Sequence, residues 1–347
     1  MFDLSKYDPD SVSNPNNNIF GLPTTEEDAH LVIVPIPWEV TVSYGSGTAR
    51  APEAILKASL QVDICDLDCP DGWKQGFYMR QTDRKILMKS DYLRKEAELY
   101  IDYISKGDDV SANQFMSKTI KDINGGSAYL NTWVYDQTKA LLDKDKLVAV
   151  LGGDHSVPLG FFKAIGEKHG DFGILQIDAH CDLREAYETF NYSHASIMFN
   201  ALNEVPQIKK LVQVGPRDFS QSESNYVNNS EGRIITYYDK MIKNRQFEGE
   251  TWKNIVDEIV NQLPDKVYIS FDIDGLDRKL CPHTGTPVPG GFEAEEIYYL
   301  FRKVMQSGRK FVGFDLCEVG VSDTDWNSNV GARVLFKLCN LLVASNS

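Results

Sequence analysis

The sequence predicts a three-layer αβα sandwich around a mainly parallel sheet, and three observations carry that prediction. Short apolar runs recur that are nearly continuous in Val, Ile, Leu and Phe, the pattern of strands covered by helices on both faces. The stretches between them carry apolar residues at helical spacing. Neither a repeat nor a linker interrupts the 347 residues, so residues 1–347 are read as one domain.

Residues 1–28 begin with acids and an Asn/Pro-rich stretch, where a secretory signal needs a basic start and an apolar core. They are expected to form a mobile arm. The first strand is expected at Leu31–Ile36, followed by a loop, Pro37–Thr48, rich in aromatic and small residues. Residues 66–144 are the least regular part and are expected to be a helical excursion, with helices over Tyr92–Ile104 and Thr132–Leu142 around a loop at Ser105–Val110. Beyond it, strands are expected at Leu147–Leu151, Gly173–Ile177, Leu211–Val214, Val267–Ile273 and Lys310–Leu316. Pro158–Lys168, Thr251–Gln262, Ala294–Met305 and Val330–Val343 carry the intervening helical pattern.

The composition is that of a globular protein, with 42% hydrophobic and 25% charged residues and no apolar run long enough to cross a bilayer. A formal charge of −14 argues against nucleic-acid binding, which needs clustered Lys and Arg to neutralise phosphates. It is compatible with a cationic small molecule. Six scattered cysteines form no CxxC pair, which fits a reducing, cytoplasmic compartment.

Three segments place acids or a histidine where an apolar run ends, the place at which open α/β sheets bind ligands. In Leu151–Ser156, two glycines precede Asp154 and His155. Asp178, His180 and Asp182 alternate after the third strand, so on an extended chain all three side chains share one face. Asp272 and Asp274 close another apolar run, where unpaired buried carboxylates are unfavourable unless a positive charge lies between them. Any one of these residues alone is more often a cap or a turn residue. Together, two imidazoles and four carboxylates suit two cations that share carboxylates rather than one catalytic ion with an open position. The oxygen-rich set favours two Mn²⁺ over Zn²⁺, with Ni²⁺ also admissible.

These segments resemble the ureohydrolase family that includes arginase, agmatinase and formiminoglutamase. The matching pieces are GGDHS at 152–156, DAHCD at 178–182, SFDIDGLD at 270–277, TGTPVPGG at 284–291 and GFDLCE at 313–318, within a likeness running from about Pro35 to Leu341. The resemblance implies an arginase-like fold with about eight strands and a metal pair at their C-terminal ends. It implies that His155, Asp178, Asp182 and Asp272 hold one ion and that His180, Asp178, Asp272 and Asp274 hold the other, with Asp178 and Asp272 bridging. Water acidified by the two ions would attack a guanidinium carbon and release urea and an amine. Asp182 would pass the proton, and Glu318 would pair with the guanidinium through charge-assisted bonds. His194 would sit at the mouth of the site as a shuttle or substrate contact with a near-neutral pKa.

The connection Leu183–Glu188 is similar to agmatinase-type sequences, which puts agmatine first as substrate. Free guanidine comes next, because Trp38, Thr41 and Tyr44 of the first loop, Thr286 of the TGTPVPGG turn and Trp326 are candidates to narrow the pocket around a cation. Guanidinobutyrate, arginine and formiminoglutamate follow, and the rival from another class is a non-catalytic metal-binding protein. A homo-oligomer, trimer or hexamer, is expected from the resemblance. Cys181, Arg278 (where a proline is usual) and His283 depart from the family pattern and bear on the rim of the site.

Overall fold

The computed structural model describes Leu4 and residues 7–347. Eight strands, β1 (Leu31–Pro35), β2 (Phe77–Met79), β3 (Leu147–Leu151), β4 (Phe172–Ile177), β5 (Ile208–Val214), β6 (Ile234–Tyr237), β7 (Lys266–Asp272) and β8 (Lys310–Cys317), form one sheet in the order β2-β1-β3-β8-β7-β4-β5-β6. Every pairing is parallel. The central strands are buried along almost their whole length, which explains their unbroken apolar runs. Alternate residues divide between two cores: Leu31 and Ile33 of β1 face one, and Val32 and Val34 face the other.

The first core lies under α1 (Ala51–Ser59), α8 (Trp252–Gln262), α9 (Ala294–Gln306) and α10 (Trp326–Ala344). The second lies under α2 (Arg84–Ser105), α3 (Gln114–Leu142), α4 (Leu159–His169) and α5 (Ile197–Glu204). Two further helices, α6 (Gln221–Asn228) and α7 (Asp239–Phe247), complete the set among the described residues. The expected three-layer αβα sandwich is therefore the observed one.

Two expectations need correction. Of the arm expected over residues 1–28, residues 1–3, 5 and 6 lie outside the described residues, but residues 18–22 are built into the first core. Asn18 accepts a hydrogen bond from the Met79 N–H and donates one to the Met79 carbonyl, while Phe20 buries its ring edge-on against Phe77 and Phe336. An Asn/Pro-rich stretch conceals this, because the anchoring falls to a few scattered apolar residues, chiefly Ile19, Phe20 and Leu22, with Leu4 and Tyr7 packed against the same core. The 66–144 segment is not a surface excursion: it contributes edge strand β2 to the main sheet, and α2 and α3 bury Leu93, Ala97, Leu130 and Val134 in the second core. With three residues, β2 is too short to show a period.

In sheet order, β3, β8, β7 and β4 stand side by side although β3 is followed in sequence by β4. The chain leaves β3, crosses two places and later fills the gap. Such a change of winding leaves a crevice beyond the strands' C-terminal ends.

Candidate metal centre and active site

Each of the four central strands delivers acids or histidines to that crevice. After β3, the chain turns at Gly152 and Gly153 beneath the first loop; a Cβ at Gly153 would lie 1.8 Å from the Trp38 carbonyl oxygen, so only glycine permits the approach. The turn brings His155 into the interior. Its Nδ1 lies 3.0 Å from Asp178 Oδ2, 3.1 Å from Asp182 Oδ2 and 3.4 Å from Asp272 Oδ2. His180 Nδ1 lies 3.1 Å from Asp274 Oδ2 and 3.5 Å from Asp178 Oδ1.

Two compact donor groups result, one of His155, Asp178 and Asp182 and one of Asp178, His180 and Asp274. Asp178 belongs to both. Asp272, expected to bridge as well, stands outside both groups and borders the first through His155. Its Oδ1 accepts the Asp274 N–H at 2.8 Å, which fixes the carboxylate that follows it. The alternating spacing after β4 works differently from the extended face expected of it. The strand ends at Ile177, and Asp182 reaches the centre from a left-handed backbone conformation with φ of 54°.

The supporting bonds show which atoms await a cation. Ser270 Oγ donates its only proton to Asp315 Oδ2 at 2.9 Å, so it must accept the bond from His155 Nε2, also 2.9 Å long. The Nε2 proton thereby assigned leaves Nδ1 with a lone pair, buried, without a hydrogen bond, and ringed by carboxylate oxygens. Asp274 Oδ2 is likewise buried and unpartnered, while its Oδ1 accepts the Ala179 N–H. Nitrogen and carboxylate lone pairs facing one another in a dry interior are repulsive unless a proton or a metal cation sits among them. These donors fit a pair of divalent ions.

Electrostatics of the protein alone agree. Burial pushes Asp182 up to about 7, with the Asp178 charge adding to it. Burial and the Asp274 charge push Asp272 well above the ordinary carboxylate range. Without an ion, protons on the two rings supply the positive charge: despite burial, the facing carboxylates raise His155 and His180 well above the ordinary imidazole range, and those two rings in turn outweigh burial and hold Asp178 well below the ordinary carboxylate range. Crowded acids that resist ionisation become carboxylates when a cation binds between them.

Glu318 ends β8 in a left-handed conformation, φ 62°, and its Oε1 accepts the His155 N–H at 2.9 Å. Its Oε2 is buried with no partner and borders Gly285 of the TGTPVPGG turn, where a Cβ would come within 2.6 Å. Burial and the neighbouring Asp154 raise its pKa. His194 is buried, gives its N–H to Thr41 Oγ1 at 3.1 Å, and has its pKa lowered to about 3 by burial and by His180. The expected near-neutral value is thus corrected: the ring is neutral because water is excluded from it.

A cavity of about 380 Å³ opens over this centre, with His180, Asp182 and His194 deep in it and Tyr44, Thr286, Arg184 and Arg278 toward the outside. Tyr44 and Thr286 line the cavity as expected, and Tyr44 is 82% exposed. Thr41 lies beneath, bonded to Asp154 and His194. Trp38 and Trp326 are not at the cavity. Trp38 belongs to the second core, and Trp326 is 47% exposed at the start of α10, donating to the Lys279 carbonyl. Aromatic identity alone does not separate a rim residue from a core or surface one.

Several supporting residues escape sequence reasoning. Gln176 holds Asp178 Oδ2 at 2.8 Å and is itself held by Gln213. Ser270 and Asp315 fix the His155 ring. A signal was present in β4 and β7: Gln176 and Ser270 are polar residues in apolar runs, two positions before Asp178 and Asp272 and so on the same face.

An open parallel sheet whose C-terminal edge gathers two histidine–carboxylate groups around one shared aspartate defines an α/β protein with donors that could hold two cations side by side. The chain belongs to the arginase family, whose model matches residues 29–340, and is a ureohydrolase of that family. It is 28% identical over 297 residues to the N(1)-aminopropylagmatine ureohydrolase of Thermus thermophilus, covering 85% of this chain and 84% of that protein. It is also 28% identical over 249 residues to the guanidinobutyrase of Pseudomonas aeruginosa, covering 67% and 73% of the two chains. In fold, it superposes on the agmatine ureohydrolase of Thermoplasma volcanium with a TM-score of 0.67 at 21% identity, over 93% of this chain and 91% of that one.

Proposed function

We propose that this ureohydrolase releases urea and an amine from a small linear guanidino compound at two divalent cations held by His155, Asp178, His180, Asp182, Asp272 and Asp274. The observation that carries the reading is the single aspartate, Asp178, common to two donor groups. Bound there, two divalent ions supply the Lewis acidity that makes water a nucleophile near neutral pH and polarises the reacting carbon. Mn²⁺ suits the oxygen-rich set, with Ni²⁺ the second choice.

Four carboxylates balance two divalent ions, which leaves Glu318 as the acid for the substrate's own charge. Its unpartnered Oε2 faces the TGTPVPGG turn and can take two N–H bonds of a planar guanidinium with Oε1. Asp182, which belongs to the first donor group and also lines the cavity, is placed to pass a proton from water to the leaving amine. Neutral His194 offers its ring at the cavity wall as a hydrogen-bonding contact rather than as a charge. The compartment we assign is the cytoplasm, supported by six cysteines that all remain thiols. The trimer or hexamer rests on resemblance alone, and a mass measurement in solution checks it.

The resemblance puts agmatine first among substrates, but the relatives are named for compounds with both cationic and carboxylate tails. A panel of agmatine, guanidine, arginine and 4-guanidinobutyrate tests the reading, with the protein loaded with Mn²⁺ or Ni²⁺. Urea is expected from at least one of them, and Asp178→Asn is expected to lose metal and turnover together. Urea from none of them with two ions bound per chain, or wild-type turnover in the variant, overturns it.

A further inference from the structure

The outer part of the cavity carries two arginines. Arg278 and Arg184 both line it, on the loops that follow β7 and β4, the same loops that carry the centre's acids. The Arg278 side chain is exposed and makes no ion pair or hydrogen bond among the described residues. Arg184 is held in place from two sides: its guanidinium lies 4.7 Å over the Tyr187 ring, and its Nε is 3.7 Å from Glu223 Oε2. Glu223 does not complete that pair, because its oxygens accept from the Leu183 N–H and from the N–H and hydroxyl of Ser220 at the start of α6. Two planar donor forks therefore converge on the mouth of a site whose floor carries carboxylates.

Resting on the guanidino reading above, we infer that the substrate carries a carboxylate at the end remote from its guanidino group, and that Arg278, with Arg184 beside it, holds that carboxylate. A guanidinium fork matches a carboxylate in geometry and charge, and it repels the terminal ammonium of agmatine at close range. Free guanidine, three nitrogens around one carbon, leaves most of a 380 Å³ cavity unused. Besides Asp182, two acids line the same cavity: Glu223, whose oxygens are taken up by the bonds just described, and Asp218, exposed and without an ion pair among the described residues. Asp218 is placed to meet an amine should the tail carry one beside its carboxylate, so 4-guanidinobutyrate and arginine share the inferred chemistry and differ in their use of it.

The test compares kcat/KM for 4-guanidinobutyrate, arginine and agmatine in the metal-loaded wild type, Arg278→Ala and Arg278→Glu. Binding of 4-guanidinobutyrate and agmatine is measured by calorimetry on the same samples. The wild type is expected to favour a carboxylate-bearing compound over agmatine. Arg278→Ala is expected to lower kcat/KM for that compound by about tenfold to a hundredfold, the worth of one charge-assisted pair, mainly through KM. Arg278→Glu is expected to reverse the preference toward agmatine, which a merely structural role for Arg278 would not do. Preference of the wild type for agmatine, or equal losses on all compounds in both variants, overturns the inference. Absence of urea from every compound, together with tighter calorimetric binding of 4-guanidinobutyrate that Arg278→Glu reverses, overturns the catalytic reading and leaves the inferred tail site standing.

Discussion

The hydroxyl of Ser270 decides which nitrogen of His155 faces the centre. It passes its proton to Asp315 and so obliges the ring to keep hydrogen on Nε2. Bonds of this kind orient a metal ligand and raise its basicity, and their loss typically lowers metal affinity about tenfold to a hundredfold. Ser270→Ala is expected to do so while the fold survives, with the second group of donors, around His180, affected less. Titration of the apoprotein with Mn²⁺, followed by calorimetry, reads both sites; unchanged affinity at both would show that His155 needs no such orientation. Gln176, a strand residue that supports Asp178, belongs to the same design. The candidate donors were legible from spacing, whereas this second layer was visible only as polar interruptions of apolar runs.

Elements at the edge of the sheet hold one another. Phe20, Phe77 of β2 and Phe336 of α10 meet edge-on with centroids 5.0 to 6.5 Å apart. Phe20→Ala removes the middle of that cluster and is expected to destabilise the protein by about 3–5 kcal/mol, read by urea unfolding. A loss within experimental error would mean that the residue 18–22 segment is not anchored as described. A second tie joins the same region to α9 and α10: Asp68 meets Lys337 and accepts from Arg302 at 3.0 Å, and Lys337 also reaches Asp66. Burial raises the Asp68 pKa, but the bonds to Lys337 and Arg302 outweigh it and hold the group below its ordinary 3.8. A depressed carboxylate contributes stability above its unfolded value and loses it as pH falls through the folded one. The difference in Tm between wild type and Asp68→Asn is therefore expected to be full at neutral pH and to shrink below about pH 4. A difference independent of pH would assign the effect to shape rather than charge. Short elements such as β2 and β6 were beyond sequence reading because three or four residues cannot establish a period, and their neighbours in the sheet select them.

For the whole molecule, folding and the proposed ion binding are expected to be coupled, because the donors that follow β3, β4 and β7 are brought together only in the native state. Ions that bind that state alone stabilise it by mass action. Chelation is expected to lower Tm measurably, with recovery on adding back Mn²⁺, while Asp178→Asn, which cannot be rescued in this way, shows little response. Equal Tm with and without metal would indicate that the carboxylates are accommodated without cations. The layered α/β class, six of the eight strands, helices α4, α8, α9 and α10, and the five residues gathered into the two donor groups could be read from the chain, since apolar periodicity and alternating acids are local properties that survive without knowledge of neighbours; α5, α6 and α7 could not. The spatial order of the strands, the anchoring of residues 18–22, the neutral state of His194 and the removal of Trp38 and Trp326 from the cavity required the folded molecule. Each of these depends on which distant segment lies within a few ångströms, and burial, hydrogen-bond partners and local field are all set by that proximity rather than by residue type.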